Sequence, residues 1–238
     1  MAGAVHTEAV VLRSIRYGEA DRILHLYSLD RGRLSAIAKG SRRSRSRFGG
    51  RLEPFFRLRL DLHEGRSDLL TVTGAETVSP YTRLRGDSSS IEAAARGCDA
   101  VARIFDSEEP HPEVFNLLCT FLSVLDDDPA RGGPAIQVAL RIKLLLAAGF
   151  APQLRQCARC GADESISGFS PAAGGVVCAS CEAASFPLDE EAHRFLTAAL
   201  GTPLAELGEP SARALAMATR AVDETAEHHG HVRLRPAA

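Results

Sequence analysis

Hydrophobic residues in the first 80 positions fall into short runs with the length and composition of β-strands, separated by turns. Five such runs occupy residues 5–13, 22–29, 34–38, 56–62 and 69–73. The fourth run alternates strictly, which places its leucines on one face of a strand and Arg57, Arg59 and Asp61 on the other. Five strands with a long connection after the third predict a small closed β-barrel over residues 1–80, such as an OB-fold. The spacing of the strands alone does not exclude an SH3-like barrel.

The hydrophobic period changes from two to about 3.6 near Ser89, which indicates helices from there onward. Helices are predicted at residues 91–105, 112–125, 135–148, 189–200 and 211–228. Ser89 and Glu92 stand three residues apart in the pattern of a capping box, and we expect them to cap the first helix. The pattern predicts an all-helical domain in two parts, 81–150 and 187–238, interrupted by residues 151–186.

Two C-x-x-C pairs in the interrupting segment are the strongest chemical signal in the chain. Cys157 and Cys160 form the first pair, and Cys178 and Cys181 form the second. Cysteine pairs brought together by a hairpin supply the four thiolates of tetrahedral Zn²⁺, which leaves the ion no open position, so one structural zinc is predicted. Two disulfides are the alternative. Upstream, His111 and Glu113 loosely match the H-x-E pattern of zinc deaminases. A deaminase zinc site is disfavoured, because the second C-x-x-C pair already completes the ligand set.

The predicted fold class is therefore α+β and multidomain, with an N-terminal OB-fold barrel followed by an all-helical domain that a four-cysteine zinc ribbon interrupts. The composition, 238 residues with 45% hydrophobic and 24% charged, is that of a globular protein. The N-terminus lacks the pattern of a signal peptide, and the longest apolar run, 144–152, is too short to span a membrane. We expect a cytoplasmic protein with no membrane partner, in which Cys98 and Cys119 lie in the core.

The formal net charge of −2 conceals an asymmetry between the two parts of the chain. Residues 1–85 hold sixteen Lys and Arg against nine Asp and Glu, whereas residues 86–238 hold twelve against twenty-one. Within the basic part, residues 31–52 hold eight basic side chains and no acidic one. This distribution predicts a polyanionic ligand for the N-terminal part.

The connection after the third predicted strand, which we call the basic loop (residues 39–51), combines cations with serines, glycines and one aromatic ring. Its candidate nucleic-acid-binding residues are Lys39, Arg42, Arg43, Arg45, Arg47, Phe48 and Arg51. Arginine bonds phosphate oxygens bidentately, serine hydroxyls add neutral donors, and Phe48 is predicted to stack on a base. Arg57 and Arg59 are further candidates. The alternatives are a solvated flexible loop and an arginine cluster paired with carboxylates elsewhere in the chain.

Three other features of the sequence bear on function. The acidic run 126–128 closes a predicted helix and is expected to be a solvated loop rather than a metal site. His228, His229 and His231 are expected to lie in a frayed tail rather than to bind metal. The chain has no phosphate-binding P-loop, no G-x-G-x-x-G and no G-x-S-x-G elbow, so an enzyme is not expected.

Eight short segments form an ordered pattern along nearly the whole chain. They are 17–23, 30–34, 38–43 and 46–55 in the N-terminal part, and 149–154, 157–161, 169–170 and 174–181 in the C-terminal part. Together they resemble the RecO family of bacterial recombination mediators. The resemblance implies an OB-fold, a helical domain and a zinc ribbon, with no enzymatic turnover.

The resemblance also implies a set of partners. It implies binding of single- and double-stranded DNA, annealing of complementary strands, and action with RecR to displace single-stranded-DNA-binding protein so that RecA can load in the nucleoid. The residues by themselves predict only nucleic-acid binding. An RNA-binding zinc-ribbon protein of transcription or translation, and a zinc enzyme, are therefore the competing hypotheses.

The acidic C-terminal part is predicted to dock protein partners, since its charge repels DNA and the grooves between helices suit a peptide. The resemblance suggests the acidic tail of single-stranded-DNA-binding protein as one such ligand. An acidic peptide needs a basic pocket, and Arg141 with Lys143 on the third predicted helix are the candidates.

Overall fold

The computed structural model describes residues 3–65, 69–181 and 185–236. The chain forms two compact units, Met1–Pro129 and Ala130–Ala238, which we call the N-terminal and C-terminal units. The division places the first two helices in the same unit as the barrel. Over the described ranges, no helix has both the length and the hydropathy needed to cross a bilayer.

Five strands of the N-terminal unit close into a barrel. They are β1 (Ala4–Tyr17), β2 (Asp21–Ser28), β3 (Gly32–Ala38), β4 (Arg57–His63) and β5 (Leu70–Ser79). Their order around the barrel is β1-β2-β3-β5-β4, and β4 pairs with β1 to close it. The pairing of β3 with β5 is parallel, and the other pairs are antiparallel. A closed five-stranded barrel confirms the predicted OB-like fold.

The alternation of β4 fixes its orientation as predicted. Its leucines point into the barrel core and are fully buried, whereas Arg59 and Asp61 face outward and are exposed. The strand β1 is longer than its apolar run. It pairs with β4 through Val10 and with β2 through Tyr17, with a bulge after Val11. From Arg13 to Tyr17, β1 pairs with β2 and not with β4, and its mixture of polar and apolar residues contains no long apolar run that would reveal the extension.

The remaining elements are mostly helical. They are α1 (Ser88–Ile104), α2 (Pro112–Asp127), α3 (Pro134–Ala147), β6 (Ile166–Ser170), β7 (Gly175–Cys178), β8 (Phe186–Pro187), α4 (Glu190–Gly201) and α5 (Ala212–Gly230). All five predicted helices are present, with ends that differ by at most three residues. In the C-terminal unit α3, α4 and α5 pack on one another, and β6 lies between β7 and β8 in a small antiparallel sheet. Cys98 and Cys119 are buried, as predicted.

The predicted capping box at the start of α1 is wrong. The N-cap is Asp87, whose carboxylate accepts hydrogen bonds from Ser89 Oγ at 2.5 Å and from the Ser90 amide at 2.8 Å. An aspartate at this position satisfies a free amide and places negative charge at the positive end of the helix dipole. Glu92 instead accepts a hydrogen bond of 2.6 Å from Arg96, one turn further along the helix.

Candidate functional site

The basic loop follows β3 as a series of turns held against the barrel. Its backbone bonds back to the β1–β2 hairpin, with the Gly40 amide donating to Asp21 Oδ1 at 2.7 Å and the Arg42 amide donating to Ala20 O at 2.8 Å. Within the loop, the Ser46 amide donates to Arg43 O at 3.0 Å. These hydrogen bonds give the loop a defined path, which a flexible solvated loop would lack.

Phe48 anchors the loop in the barrel core. Its side chain is 2% exposed and packs in the same cluster as the inward-facing leucines of β4, together with Leu52. The prediction that Phe48 stacks on a base is therefore wrong for this structure, because the ring presents no face to a ligand. Burial of an aromatic side chain is a large apolar gain that favours this arrangement over exposure. The Arg47 guanidinium lies 4.8 Å from the centre of the Phe48 ring.

Six cations of the basic loop are exposed. They are Lys39, Arg42, Arg43, Arg45, Arg47 and Arg51. Arg42 Nη1 donates to Gly18 O at 3.3 Å, and Arg51 Nη1 donates to Ala75 O at 3.0 Å, so both guanidinium groups bond to backbone carbonyls. None of the six forms an ion pair with a carboxylate in the described part of the chain. These residues therefore do not form the alternative arrangement, an arginine cluster neutralised by carboxylates.

Arg57 and Arg59 differ from these six residues in having acidic partners. Arg57 Nε donates to Glu8 Oε1, and its guanidinium lies 5.5 Å from the centre of the Phe115 ring. Arg59 Nη1 donates to Glu76 Oε2 at 2.9 Å on the exposed face of the barrel. Their charges are balanced locally, so they add little to the positive potential of the basic loop.

The turn between β1 and β2 brings a second group of side chains next to the basic loop. Arg13, Arg16 and Tyr17 are exposed there, and Gly18 turns the chain with φ of +53°. Sequence reasoning did not select these residues. The available signal was an aromatic residue followed by a glycine in a turn, with two arginines in the preceding residues.

The four cysteines of the ribbon converge on one point. All four sulfur atoms lie within 4.8 Å of one another, and Cys160 Sγ lies 3.7 Å from Cys178 Sγ. Tetrahedral zinc with bonds of about 2.3 Å needs sulfur atoms separated by about 3.8 Å, so the donor set fits the ion. Gly161 has φ of +77°, and its amide donates to Cys157 O at 2.8 Å, which closes the first knuckle.

The electrostatics of the cluster also suit a cation. Backbone amides of Cys178, and then of Cys160 and Arg159, lower the pKa of the Cys157 thiol to about 6. Hydrogen bonds with Cys160 and Cys178 raise the pKa of Cys181 to about 12. One thiolate is thus stabilised by the fold, whereas ionisation of all four requires a positive charge among them.

The predicted docking pocket at Arg141 and Lys143 is not formed. Arg141 is 1% exposed, and its Nη1 donates to Asp223 Oδ1 at 2.8 Å while its Nη2 donates to Arg235 O. Lys143 Nζ donates to Leu200 O at 2.9 Å. Both cations are engaged by their own unit, and the assignment of Arg141 to an exposed pocket is wrong because the side chain is internal.

The acidic run and the histidines form no metal site. Asp126 Oδ1 accepts a hydrogen bond of 2.9 Å from the Leu84 amide. The prediction of a frayed histidine tail is wrong for His228 and His229, since α5 includes both and His229 Nε2 lies 2.8 Å from Pro171 O. Among described residues, only the four cysteines bring three or more ligating side chains close enough to hold an ion.

Two family models match the chain in succession. The model described as "Recombination protein O N terminal" matches residues 1–81, and the one described as "Recombination protein O C terminal" matches residues 85–235. Similar curated proteins carry the name "DNA repair protein RecO". The protein of Rubrobacter xylanophilus is 40% identical over 222 residues, which cover 91% of this chain and 88% of the relative. That of Cutibacterium acnes is 39% identical over 189 residues, which cover 77% and 76%.

Proposed function

This chain belongs to the RecO family, and on that premise we propose that it is a DNA-binding mediator of recombination and DNA repair. It binds single- and double-stranded DNA through the basic loop and anneals complementary strands. With RecR it helps to replace single-stranded-DNA-binding protein by RecA, in the nucleoid of the cytoplasm. Its action is binding rather than catalytic turnover.

The observation that carries the DNA-binding role is the set of six exposed cations on the basic loop. Cations without carboxylate partners are costly to hold together, and a phosphate backbone relieves their mutual repulsion. Hydrogen bonds at Gly40 and Arg42 and burial of Phe48 fix the loop before any ligand arrives. A prearranged loop loses less conformational entropy on binding, so more of the phosphate attraction is available as affinity.

The ribbon has a structural role in this proposal. Cys157, Cys160, Cys178 and Cys181 hold one zinc ion, and a zinc ion with four thiolate ligands fastens two chain segments together without an open position for a substrate. Val177 and Ile166 pack against the buried Cys157 and Cys178, whereas Cys160 is exposed at the edge of the cluster. The zinc therefore stabilises the C-terminal unit and does not take part in DNA chemistry.

Annealing of complementary strands coated with single-stranded-DNA-binding protein tests the function. The wild-type protein should accelerate annealing, and Arg43→Ala with Arg45→Ala should slow it, because both side chains are exposed and bond to no carboxylate. The matched control is Arg194→Ala with Arg213→Ala, which removes the same charge from exposed sites in the C-terminal unit. Equal annealing by all three proteins, or a preference for single-stranded RNA of the same sequence, would refute the proposal.

A further inference from the structure

The N-terminal unit exposes one large aromatic side chain among its described residues. Tyr17 is 53% exposed. The other aromatic residues of the unit are all 8% exposed or less, and they are Tyr27, Phe48, Phe55, Phe56, Tyr81, Phe105, Phe115 and Phe121. The exposed ring of Tyr17 therefore contrasts with the way this unit buries every other ring.

Tyr17 stands at the tip of the β1–β2 hairpin, where it pairs with Asp21. The tip is joined to the basic loop by Arg42, whose amide donates to Ala20 O at 2.8 Å and whose Nη1 donates to Gly18 O at 3.3 Å. Asp21 Oδ1 accepts from the Gly40 amide at 2.7 Å. The hairpin tip that carries Tyr17 and the start of the basic loop are thus joined by hydrogen bonds.

The exposed positions next to Tyr17 along the chain are charged or glycine, since Arg16 precedes it and Gly18 and Glu19 follow. Arg13 and Arg16 are exposed on the same strand, and neither is ion-paired with a described carboxylate. A ring that docks a protein partner normally sits in a mainly apolar patch with few charges at its centre. An exposed ring beside cations is instead the combination that single-stranded nucleic-acid sites use, with the cations on the backbone and the ring against a base.

We propose, on the basis of the function proposed above, that Tyr17 is a stacking platform for an unpaired base of single-stranded DNA whose phosphates lie on the basic loop. Bases in a duplex already stack on one another and present only their edges, so the ring favours single strands over duplexes. Every base has a π-face, so the contact does not read sequence. Tyr17 takes the role that the sequence suggested for Phe48.

The test compares an oligothymidylate with an abasic oligomer of the same length, which keeps the phosphates and lacks the bases. Stacking on one aromatic residue corresponds to roughly 5- to 150-fold in affinity. Tyr17→Ala should weaken oligothymidylate binding by a factor in that range and leave binding of the abasic oligomer and of duplex DNA unchanged. Tyr17→Phe should bind as the wild type does, and Tyr17→Leu should resemble Tyr17→Ala. Phe150→Ala, at a ring 40% exposed in the C-terminal unit, is the matched control and should leave all three affinities unchanged.

The outcomes separate this inference from the proposed function. Failure of the wild type to bind single-stranded DNA would refute the proposed function itself. Wild-type affinity of Tyr17→Ala for oligothymidylate, with weakened binding by Arg43→Ala and Arg45→Ala, would refute the stacking role alone. If Tyr17→Ala lost as much affinity for the abasic oligomer as for oligothymidylate, Tyr17 would have a structural role instead. Unchanged DNA affinity with a defect only when RecR or single-stranded-DNA-binding protein is present would assign it to a protein contact.

Discussion

Arg141 Nη1 donates a 2.8 Å hydrogen bond to Asp223 Oδ1 within the C-terminal unit, linking α3 to α5. The same guanidinium donates from Nη2 to Arg235 O, so it also fastens the segment that follows α5. Leu234 in that segment is buried. One internal cation therefore joins α3 both to α5 and to the segment that directly follows it, at partners 82 and 94 residues away in sequence.

Arg141→Met should destabilise the C-terminal unit by about 3 kcal/mol, because it leaves both the partly buried Asp223 carboxylate and the Arg235 carbonyl without their hydrogen-bond donor. Urea denaturation followed by circular dichroism measures the loss. Adding Asp223→Leu should recover part of the lost stability, since removal of both partners leaves no unpaired charge. Strictly additive losses in the double variant would show that the pair is not coupled.

Phe48→Ala should destabilise the N-terminal unit by about 3–5 kcal/mol, because it removes a buried ring and leaves a cavity in the barrel core. Phe48→Leu should cost less and should keep wild-type affinity for single-stranded DNA, since the ring does not face the ligand. Fluorescence anisotropy under conditions where the variant is folded tests this. A large loss of affinity in a stable Phe48→Leu protein would restore the stacking role that the sequence suggested.

Phe48 and Arg141 illustrate what the sequence could not supply. The strand containing Leu58 and Leu60 and the cysteine ribbon were predictable, because their signals are local: alternation in the first case and C-x-x-C spacing in the second. Whether Phe48 turns inward depends on the loop folding back onto the barrel. Arg141 is buried because Asp223, which is 82 residues away, supplies its counter-charge. The composition and the hydrophobic period of the sequence do not encode the contacts of either residue.

The cap of α1 shows a different limit. Asp87 and Ser89 are both good N-cap residues, and the pattern of Ser89 with Glu92 predicted a capping box that begins at Ser89. In the structure Asp87 is the cap, and Ser90 in the first turn is buried and donates from Oγ to Pro129 O at 3.1 Å. Two good caps within three residues leave the first residue of the helix undecided by the local sequence.

The hydrogen bond from the Ser89 hydroxyl, followed by that from the Ser90 amide, holds the pKa of Asp87 below its ordinary value. A carboxyl whose pKa is lowered on folding stabilises the protein above its unfolded pKa, and this contribution is lost as the pH falls through its folded pKa. Asp87→Ala should therefore lower the free energy of unfolding at neutral pH, and the difference from the wild type should shrink in acid. Urea denaturation at both pH values measures it. Asp106→Ala, which removes the same charge from an exposed site of the same unit, is the matched control.

Cys160→Ser should abolish stoichiometric zinc binding and unfold the ribbon, because structural zinc contributes roughly 10–16 kcal/mol of apparent binding free energy in small peptides. Elemental analysis gives the zinc content, and X-ray absorption should report four sulfur ligands in the wild type. Cys98→Ala changes a buried thiol outside the cluster and should keep its zinc. Wild-type protein with far less than one zinc per chain and an unchanged melting curve after chelation would contradict the structural role.

The six exposed cations of the basic loop should set the salt dependence of DNA binding. If all six neutralise phosphates of a single strand, the logarithm of the affinity should fall against the logarithm of the salt concentration with a slope of about −4, at about −0.7 for each contact. Arg43→Ala with Arg45→Ala should reduce that slope by roughly one to two and weaken binding to all sequences alike. Arg59→Ala should leave the slope nearly unchanged, because Glu76 already balances that charge. A slope that responds to Arg59 and not to the loop variants would place the phosphate-binding surface on β4 instead.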